Sequence, residues 1–355
     1  MKHPYRIREI ATQCGLSEST VDRVLNRRGN VRASTIREVE AAIADLDRQR
    51  DQVRLAGRTF FVDVVMQAPD RFSGAVRAAL EAELPYLRPA VIRSRFYLRE
   101  TVDTETLVAR LDRIGARGSH GVVLKATDVP EVTEAVDRLD RAGVPVVTLV
   151  TDLPQSSRHA YVGIDNRAAG QTAAYLLGQW LGDRPGNVLV TLSSSAFRGE
   201  EEREIGFRAA LRRIAPGRQI REITETDGLD ATMRALVREA LIADPTIAAV
   251  YSIGGGNVAT VETFEELGRP MPVFIGHDVD DDNRDLLRRG RLAAVLDHDL
   301  RQDMRRACQL IMQAQEALPA LAGVAAGPSP IQVVTPYNLP VPAAPAAHSS
   351  PRGRR

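Results

Sequence analysis

From Thr59 onward the chain repeats one unit, a short run of β-branched and aromatic residues followed by a stretch with apolar residues at helical spacing. The first run, Phe60-Phe61-Val62-Asp63-Val64-Val65-Met66, has no wet face, so it reads as a strand covered on both sides. Further strands are expected at Ala90–Leu98, Gly121–Lys125, Pro145–Leu149, Asn187–Leu192, Arg218–Thr224, Ala248–Ile253, Pro272–His277 and Ala293–Asp297. Helices fill most gaps, at Gly74–Leu84, Asp103–Ile114, Pro130–Ala142, Arg167–Leu181, Glu202–Ile214, Asp230–Ala243, Asn257–Leu267, Asp281–Arg289 and Arg301–Leu318. Such alternation predicts an α/β fold of parallel sheets flanked by helices. The order holds two cycles, ending near Val162 and Gly290, before another strand and helix and a final extended piece, Ile331–Thr335.

Ahead of this core the pattern is different. Ile7, Ile10 and Ala11 put apolar groups on one face of a short helix, and Gly15 ends it where a left-handed turn needs a residue without Cβ. Ser17 can cap the next helix by accepting from its exposed backbone N–H groups. Leu16, Val21, Val24 and Leu25 then face inward, leaving Glu18, Ser19, Asp22 and Arg23 outward. Asn26 closes this helix, Arg27-Arg28-Gly29-Asn30 is a basic turn, and Arg32–Leu46 is a third helix. An ordinary helical hairpin has the same spacing as a helix-turn-helix, so spacing alone leaves both open.

Charge favours the second reading. Residues 1–58 hold twelve Lys or Arg and eight Asp or Glu, whereas the remainder holds 35 basic and 38 acidic residues. A basic head on a mildly acidic body fits a nucleic-acid-binding module joined to something else. Cys14 and Cys308 are far apart and lack metal-type neighbours, which argues against a disulfide framework or a zinc site. Asp297, His298 and Asp299 alternate across a strand, so no other metal is expected there, and no cofactor is expected. The polar N-terminus carries no signal peptide pattern, and no apolar run approaches the ~20 residues of a membrane span, so a cytoplasmic protein is expected.

The string R-I-R-E-I-A-x-x-C-G-L-S-x-S-T-V-x-R-V-L-N resembles the head of the LacI/GalR (lac-repressor-like) family of bacterial transcription regulators. Y-V-G-I-D-N-R-A-A-G (Tyr161–Gly170) and L-A-A-V-L-D-H-D (Leu292–Asp299) resemble the strings with which that family's ribose-binding-protein-like core crosses between its lobes. The resemblance implies a helix-turn-helix head over residues 1–46, a hinge at 47–58, a two-lobed periplasmic-binding-protein-like core at 59–340 and a disordered tail at 341–355. Lobe 1 would take about 59–162 and 293–325, and lobe 2 about 163–292 and 326–340. It also implies that Arg23, Ser19 and Glu18 read base edges, with Ser17, Thr20, Asn26 and Asn30 completing the DNA-binding set. In the hinge, Leu55 matches the residue that wedges into the minor groove. Two departures stand out. Asp22 replaces a small hydroxyl residue that contacts phosphate, and the connector is about two residues short and lacks the Pro-Asn that commonly precedes the hinge.

Ligands of parallel α/β sheets bind at the carboxyl ends of strands. There the resemblance points to Phe72 for stacking on a sugar ring, with core packing as its plain alternative. Lys125 stands where relatives carry an amide, and Asp152 ends another strand near the family's polar pair. Arg203 matches one family arginine, whereas Glu201 replaces another. Asn257 follows a glycine turn, Asp278 matches the acceptor of sugar hydroxyls, and His298 stands where a glutamine often reads the ligand.

These expectations add up to a homodimeric, ligand-responsive repressor that binds a palindromic double-stranded operator and senses a small sugar or polyol. The alternatives are an α/β enzyme acting on a small sugar or nucleotide, and a secreted solute-binding protein. The first has no nucleophile elbow, triad spacing or metal pair in its favour, and the second would not carry the basic head.

Overall fold

The computed structural model describes residues 4–29, 31–224, 226–318 and 327–340. Asn30, residues 319–326 of the expected lobe ranges, and the tail at 341–355 lie outside the described residues.

The head is three helices, α1 (Ile7–Cys14), α2 (Glu18–Leu25) and α3 (Ala33–Leu55). Ile10, Ala11, Val21, Val39 and Ala42 form its small core. The third helix does not stop at Leu46. It runs for 23 residues in all, to Leu55, through most of the expected connector. Nothing in D-R-Q-R-D-Q-V-R-L breaks a helix; the backbone leaves it at Ala56, at ψ 124°, and turns at Gly57, at φ +74°. Leu55 is 6% exposed and packs into the core of the first lobe, so it is not presented to solvent as a wedge. The exposed apolar residue of this stretch is Val53, at 76%.

The first lobe contains β1 (Thr59–Gln67), α4 (Asp70–Glu83), β2 (Val91–Arg99), α5 (Thr104–Arg117), β3 (Gly121–Lys125), α6 (Pro130–Arg141), β4 (Val146–Leu149) and β5 (Ala160–Val162). Its sheet runs β2-β1-β3-β4-β5, all parallel. The second lobe contains α7 (Asn166–Leu181), β6 (Asn187–Thr191), α8 (Arg198–Ile214), β7 (Ile220–Ile223), α9 (Asp230–Ala243) and β8 (Ile247–Ser252). It continues with α10 (Asn257–Glu266), β9 (Val273–His277), α11 (Asp281–Arg288) and β10 (Ala294–Asp297). Helix α12 (Leu300–Ala314) then returns to lobe 1, and β11 (Gln332–Val334) closes the second sheet in the order β11-β10-β9-β8-β6-β7. Only β11 is antiparallel to its neighbour in that sheet.

Each lobe buries its own apolar clusters, with Met304, Ala307 and Ile311 of α12 joining Val76 and Leu80 of α4 in lobe 1. The second crossing falls after Asp297, not before Ala293, because β10 pairs with β9 and β11 and so belongs to lobe 2. The buried carboxylate within β1, Asp63, is held by Arg95 at 2.6 Å and Arg117 at 2.7 Å, which keeps a charge tolerable there.

Helices α7 and α8 approach unusually closely. A Cβ on Gly170 would lie 1.9 Å from the Arg203 carbonyl oxygen, and one on Gly206 would lie 2.2 Å from that of Arg167. Neither backbone can yield cheaply, so Gly170→Ala should destabilise the fold by about 1–3 kcal/mol in a denaturant melt, the usual penalty of overpacking. Gly74→Ala in α4 meets nothing within 4 Å and should be neutral or stabilising by up to ~1 kcal/mol. Equal melts for the two variants would mean that the helices do not touch at these glycines.

Candidate functional site

At the head, Gly15 turns at φ +69° and donates its N–H to the Ala11 carbonyl. Ser17 then caps α2, its hydroxyl oxygen accepting from the Thr20 N–H at 3.3 Å. Val21 is fully buried, and this fixes the helix so that Ser17, Glu18, Ser19, Arg23 and Asn26 are exposed, with Thr20 half-buried. Arg23 lies back along its own helix and donates to the Ser19 carbonyl at 3.3 Å. Asp22 accepts from the Asn26 amide at 2.7 Å and has Arg28 at 3.8 Å, so its carboxylate is partly answered within the head.

Between the lobes lies a cavity of about 300 Å³. Lobe 1 supplies the segment Gln67–Phe72 after β1, Glu100 and Thr101 after β2, Lys125 at the end of β3, and Thr151 after β4. Lobe 2 supplies Ser193 after β6, the start of α8, Asp227, the glycine turn before Asn257, and His277, Asp278 and Asp280 after β9. All come from carboxyl ends of strands, as parallel sheets require.

Four buried polar atoms of this lining have no hydrogen-bond partner: Arg203 Nη2, Asn257 Oδ1, His277 Nδ1 and Asp278 Oδ1. Each such orphan costs about 1–3 kcal/mol in a closed interior, so their convergence marks a place for a polar ligand. The first is a donor and two are acceptors. Their other atoms are fixed: Arg203 Nε donates to Asn166 Oδ1 at 2.8 Å, the Asn257 amide to Asn283 at 2.7 Å, and His277 Nε2 meets the Tyr251 hydroxyl at 2.8 Å.

Electrostatics set each group's form. Burial opposes ionisation of Asp278, but His298 and Arg203 outweigh it and pull the carboxyl down to about 2. Burial pushes Lys125 down to about 8 against the pull of Glu200, and its Nζ donates to the Gln67 carbonyl at 3.1 Å over the Phe197 ring. Burial also holds His277 well below the usual histidine range, so it is neutral near pH 7. Asp278 itself has φ +64°, a strained conformation that aims its side chain from the end of β9.

Phe72, Lys125, Arg203, Asn257 and Asp278 all line the cavity, although most of the Phe72 ring packs into the lobe 1 core. Three expected contacts do not. Asp152 points away from the cavity, accepting from Thr148 at 2.7 Å and from Arg158 at 2.6 Å, and its neighbour Thr151 takes the inner position. Glu201 pairs with Arg198 at 3.0 Å on the outside of α8, because that helix starts at Arg198 and not at Glu202. Glu200 faces the cavity instead, accepting from the Ser193 N–H at 2.7 Å and hydroxyl at 2.5 Å. One residue is ~100° of helical turn, enough to exchange inside for outside. His298 is buried behind Asp278, its Nε2 3.6 Å from Oδ1, and does not line the cavity.

Arg71 escaped notice in the sequence although it adjoins Phe72. It spans the cleft from lobe 1, donating to the Gly228 carbonyl at 3.0 Å and pairing with Asp280 at 3.1 Å. A cross-lobe pair has no signature within either segment.

A model of the periplasmic binding protein domain matches residues 64–317, and the model described as bacterial regulatory proteins, lacI family, matches residues 6–50. The chain belongs to the lacI family of bacterial regulatory proteins. Its core is the periplasmic binding protein domain, and it is a DNA-binding regulator, not an enzyme. Among solved structures it is similar to GanP, a glucose-galactose binding protein from Geobacillus stearothermophilus, at 20% identity and TM-score 0.71 over 80% of this chain and 100% of that one. An ABC transporter solute binding protein from Burkholderia graminis C4D1M, in complex with D-arabinose, shares 20% identity at TM-score 0.69 over 80% and 97% of the two chains. A Bacteroides fragilis protein described as a LacI transcriptional regulator shares 16% identity at TM-score 0.65 over 79% and 98%. No curated protein matches the chain at a significant level. No helix among the described residues is long and apolar enough to cross a membrane.

In this family member the Arg71–Asp280 pair bridges the mouth of the cleft, and burial raises the Asp280 carboxyl to about 6. A raised folded pKa gives stability that is complete below the unfolded value near 4 and lost as pH rises through about 6. Asp280→Asn keeps the cap on α11 and should remove part of the decline in melting temperature between pH 4 and 6. Asp297, also raised to about 6 by burial, accounts for another part. An unchanged pH profile in Asp280→Asn would place the carboxyl in solvent.

Proposed function

We propose that the protein is a homodimeric repressor that binds a palindromic operator and responds to a neutral sugar or polyol in its cleft. The observation that carries the effector class is the set of orphaned polar atoms at Arg203, Asn257, His277 and Asp278, one donor, two acceptors and a histidine nitrogen whose role follows its tautomer, beside Phe72 and Phe197. Hydroxyl groups both donate and accept, so a polyhydroxylated ring can satisfy such a mixed set. A carboxylate or phosphate ligand finds no free pair of cations among the described lining residues. Arg71 is paired with Asp280, Lys125 faces Glu200, and Arg203 shares its field with Asp278. The glucose-galactose and D-arabinose named for two structural neighbours support the same size and chemistry.

The head supports major-groove reading by the exposed Glu18, Ser19 and Arg23, with Ser17, Thr20 and Asn26 toward phosphates; Asn30 lies outside the described residues. Leu55 takes no part while it is packed in lobe 1. Effector binding acts by favouring one arrangement of the lobes, which requires different affinity for the two arrangements.

Selection from random duplexes should return a palindrome, and Arg23→Ala should weaken that site by about 1–3 kcal/mol while relaxing the base preference. Recovery of no preferred palindrome sinks the repressor reading. In the cleft, a binding sugar at ~100 times its dissociation constant should stabilise the protein by ~2.7 kcal/mol. Asp278→Asn should abolish that shift. It should also lower the unliganded melting temperature, because the buried carboxylate answers the charge of His298. A panel in which only acidic or phosphorylated compounds shift the melt refutes the neutral class.

A further inference from the structure

His298 has a second partner. Its Nδ1 lies 2.5 Å from Oδ2 of Asp303, in the first turn of α12, and both side chains are 1% exposed. The other oxygen, Asp303 Oδ1, accepts from the Ser329 hydroxyl at 2.5 Å. Ser329 in turn donates its N–H to the Gly163 carbonyl at 2.7 Å and bridges in parallel to Ile164. Gly163 belongs to the first crossing between the lobes, His298 to the second and Ser329 to the third. One chain of contacts, Asp278–His298–Asp303–Ser329–Gly163, buried at His298 and Asp303 and half-buried at Asp278 and Ser329, therefore starts at the cleft and touches all three crossings.

We infer that His298 is a positioning residue, held as an imidazolium, that keeps Asp278 ready as a hydroxyl acceptor and ties it to the three crossings. This rests on the reading of the cleft as an effector site. The reason is charge balance in a closed interior. Asp278 and Asp303 flank the ring on opposite sides, and two buried carboxylates around a neutral ring would leave at least one charge unanswered. With both nitrogens protonated, each faces an oxygen. The other groups near this set do not replace it. Arg203 and His277 act on Asp278, Lys125 reaches Asp278 only through its field, and Asp297 adds negative charge beside both Asp278 and His298. The ring's affinity for its proton is raised accordingly, to about 10.

The link to Asp278 is the slack one. At 3.6 Å it exceeds hydrogen-bond length, and both facing atoms lack a hydrogen bond. A ligand hydroxyl donating to Oδ1 competes for the same oxygen, so occupancy alters how tightly His298 is held against Asp303. That change is passed to Ser329 and so to the crossings.

The test uses the full chain. In ligand-free wild type, imidazole nitrogen spectra should show both His298 N–H groups from pH 7 to 9; a single protonated nitrogen in that range overturns the proposal. The Asp278 carboxyl carbon should stay in its ionised form down to pH 4, and in His298→Gln its midpoint should move upward; the same midpoint in both proteins overturns it as well. If His298→Gln does not fold, Ser329→Ala keeps both charges. It should shift the His298 Nδ1–H resonance and weaken D-galactose, D-glucose or D-arabinose, whichever the wild type binds, by about tenfold without touching the cleft. No shift in that resonance severs the chain. Should none of the three sugars bind wild type, the sugar reading fails while the two spectroscopic results still decide the role of His298.

Discussion

Two separately packed lobes share three backbone crossings, and the cleft depends on that arrangement. Apolar clusters fill each lobe independently, so neither needs the other to bury its strands. The contacts left between them at the cleft are few and polar. Arg71 reaches Gly228 and Asp280, Lys125 lies over Phe197, and the Asp128 N–H donates to the Ala196 carbonyl at 2.8 Å. Such contacts exchange readily for water or ligand, whereas the sheets cannot deform continuously. A small molecule can therefore bias the angle between lobes without disturbing the fold of either one.

The same geometry explains the density of charge. Strand ends from two sheets meet where there is little water, so each ionisable group must find a partner or change form. Asp278 stays ionised because cationic neighbours outweigh its burial, and Asp280 and Asp297 shift toward the neutral form because theirs do not. Lys125 moves partway, with Glu200 resisting. The orphaned atoms are what remains after this balancing, and they are concentrated on lobe 2. These free polar atoms lie on α8, at the start of α10 and at the end of β9, while lobe 1 supplies apolar faces and the Arg71 clasp.

Much of this was legible in the sequence because the signals were local. Continuous β-branched runs marked the strands within one or two residues, except the three-residue β5 (Ala160–Val162), which was too short to stand out, and the Gly15–Ser17 turn announced the head. Asp278 and Asn257 were legible because each immediately follows a strand or a glycine turn. The misplacements share one cause, which is that a side chain's direction depends on a boundary or a distant partner. Starting α8 four residues early puts Glu200 inside and Glu201 outside. His298 looked like a ligand contact from its place at the crossing, but Asp303, five residues on, draws it behind the cleft wall. Asp152 is taken by Arg158, and Arg71 acquires its role only through Asp280, far along the chain.

The connector shows how far such tertiary override can go. Its charge and shortness suggest a loose hinge, yet α3 runs unbroken to Leu55, which docks in lobe 1 while Arg54 donates to the Glu316 carbonyl at 3.0 Å. The head is thus continuous with a helix anchored on the core, next to the end of α12. Withdrawing Leu55 for a groove contact would forfeit about 1.5–3 kcal/mol of burial. Any DNA geometry that uses it must return at least that much, and one that leaves it docked need not. The exposed Val53 is two residues nearer the head, about half a helical turn, and free of this constraint. Since α12 also carries Asp303 in its first turn and shares the lobe 1 core with Leu55, it links the crossings to the anchor of α3 through packed side chains.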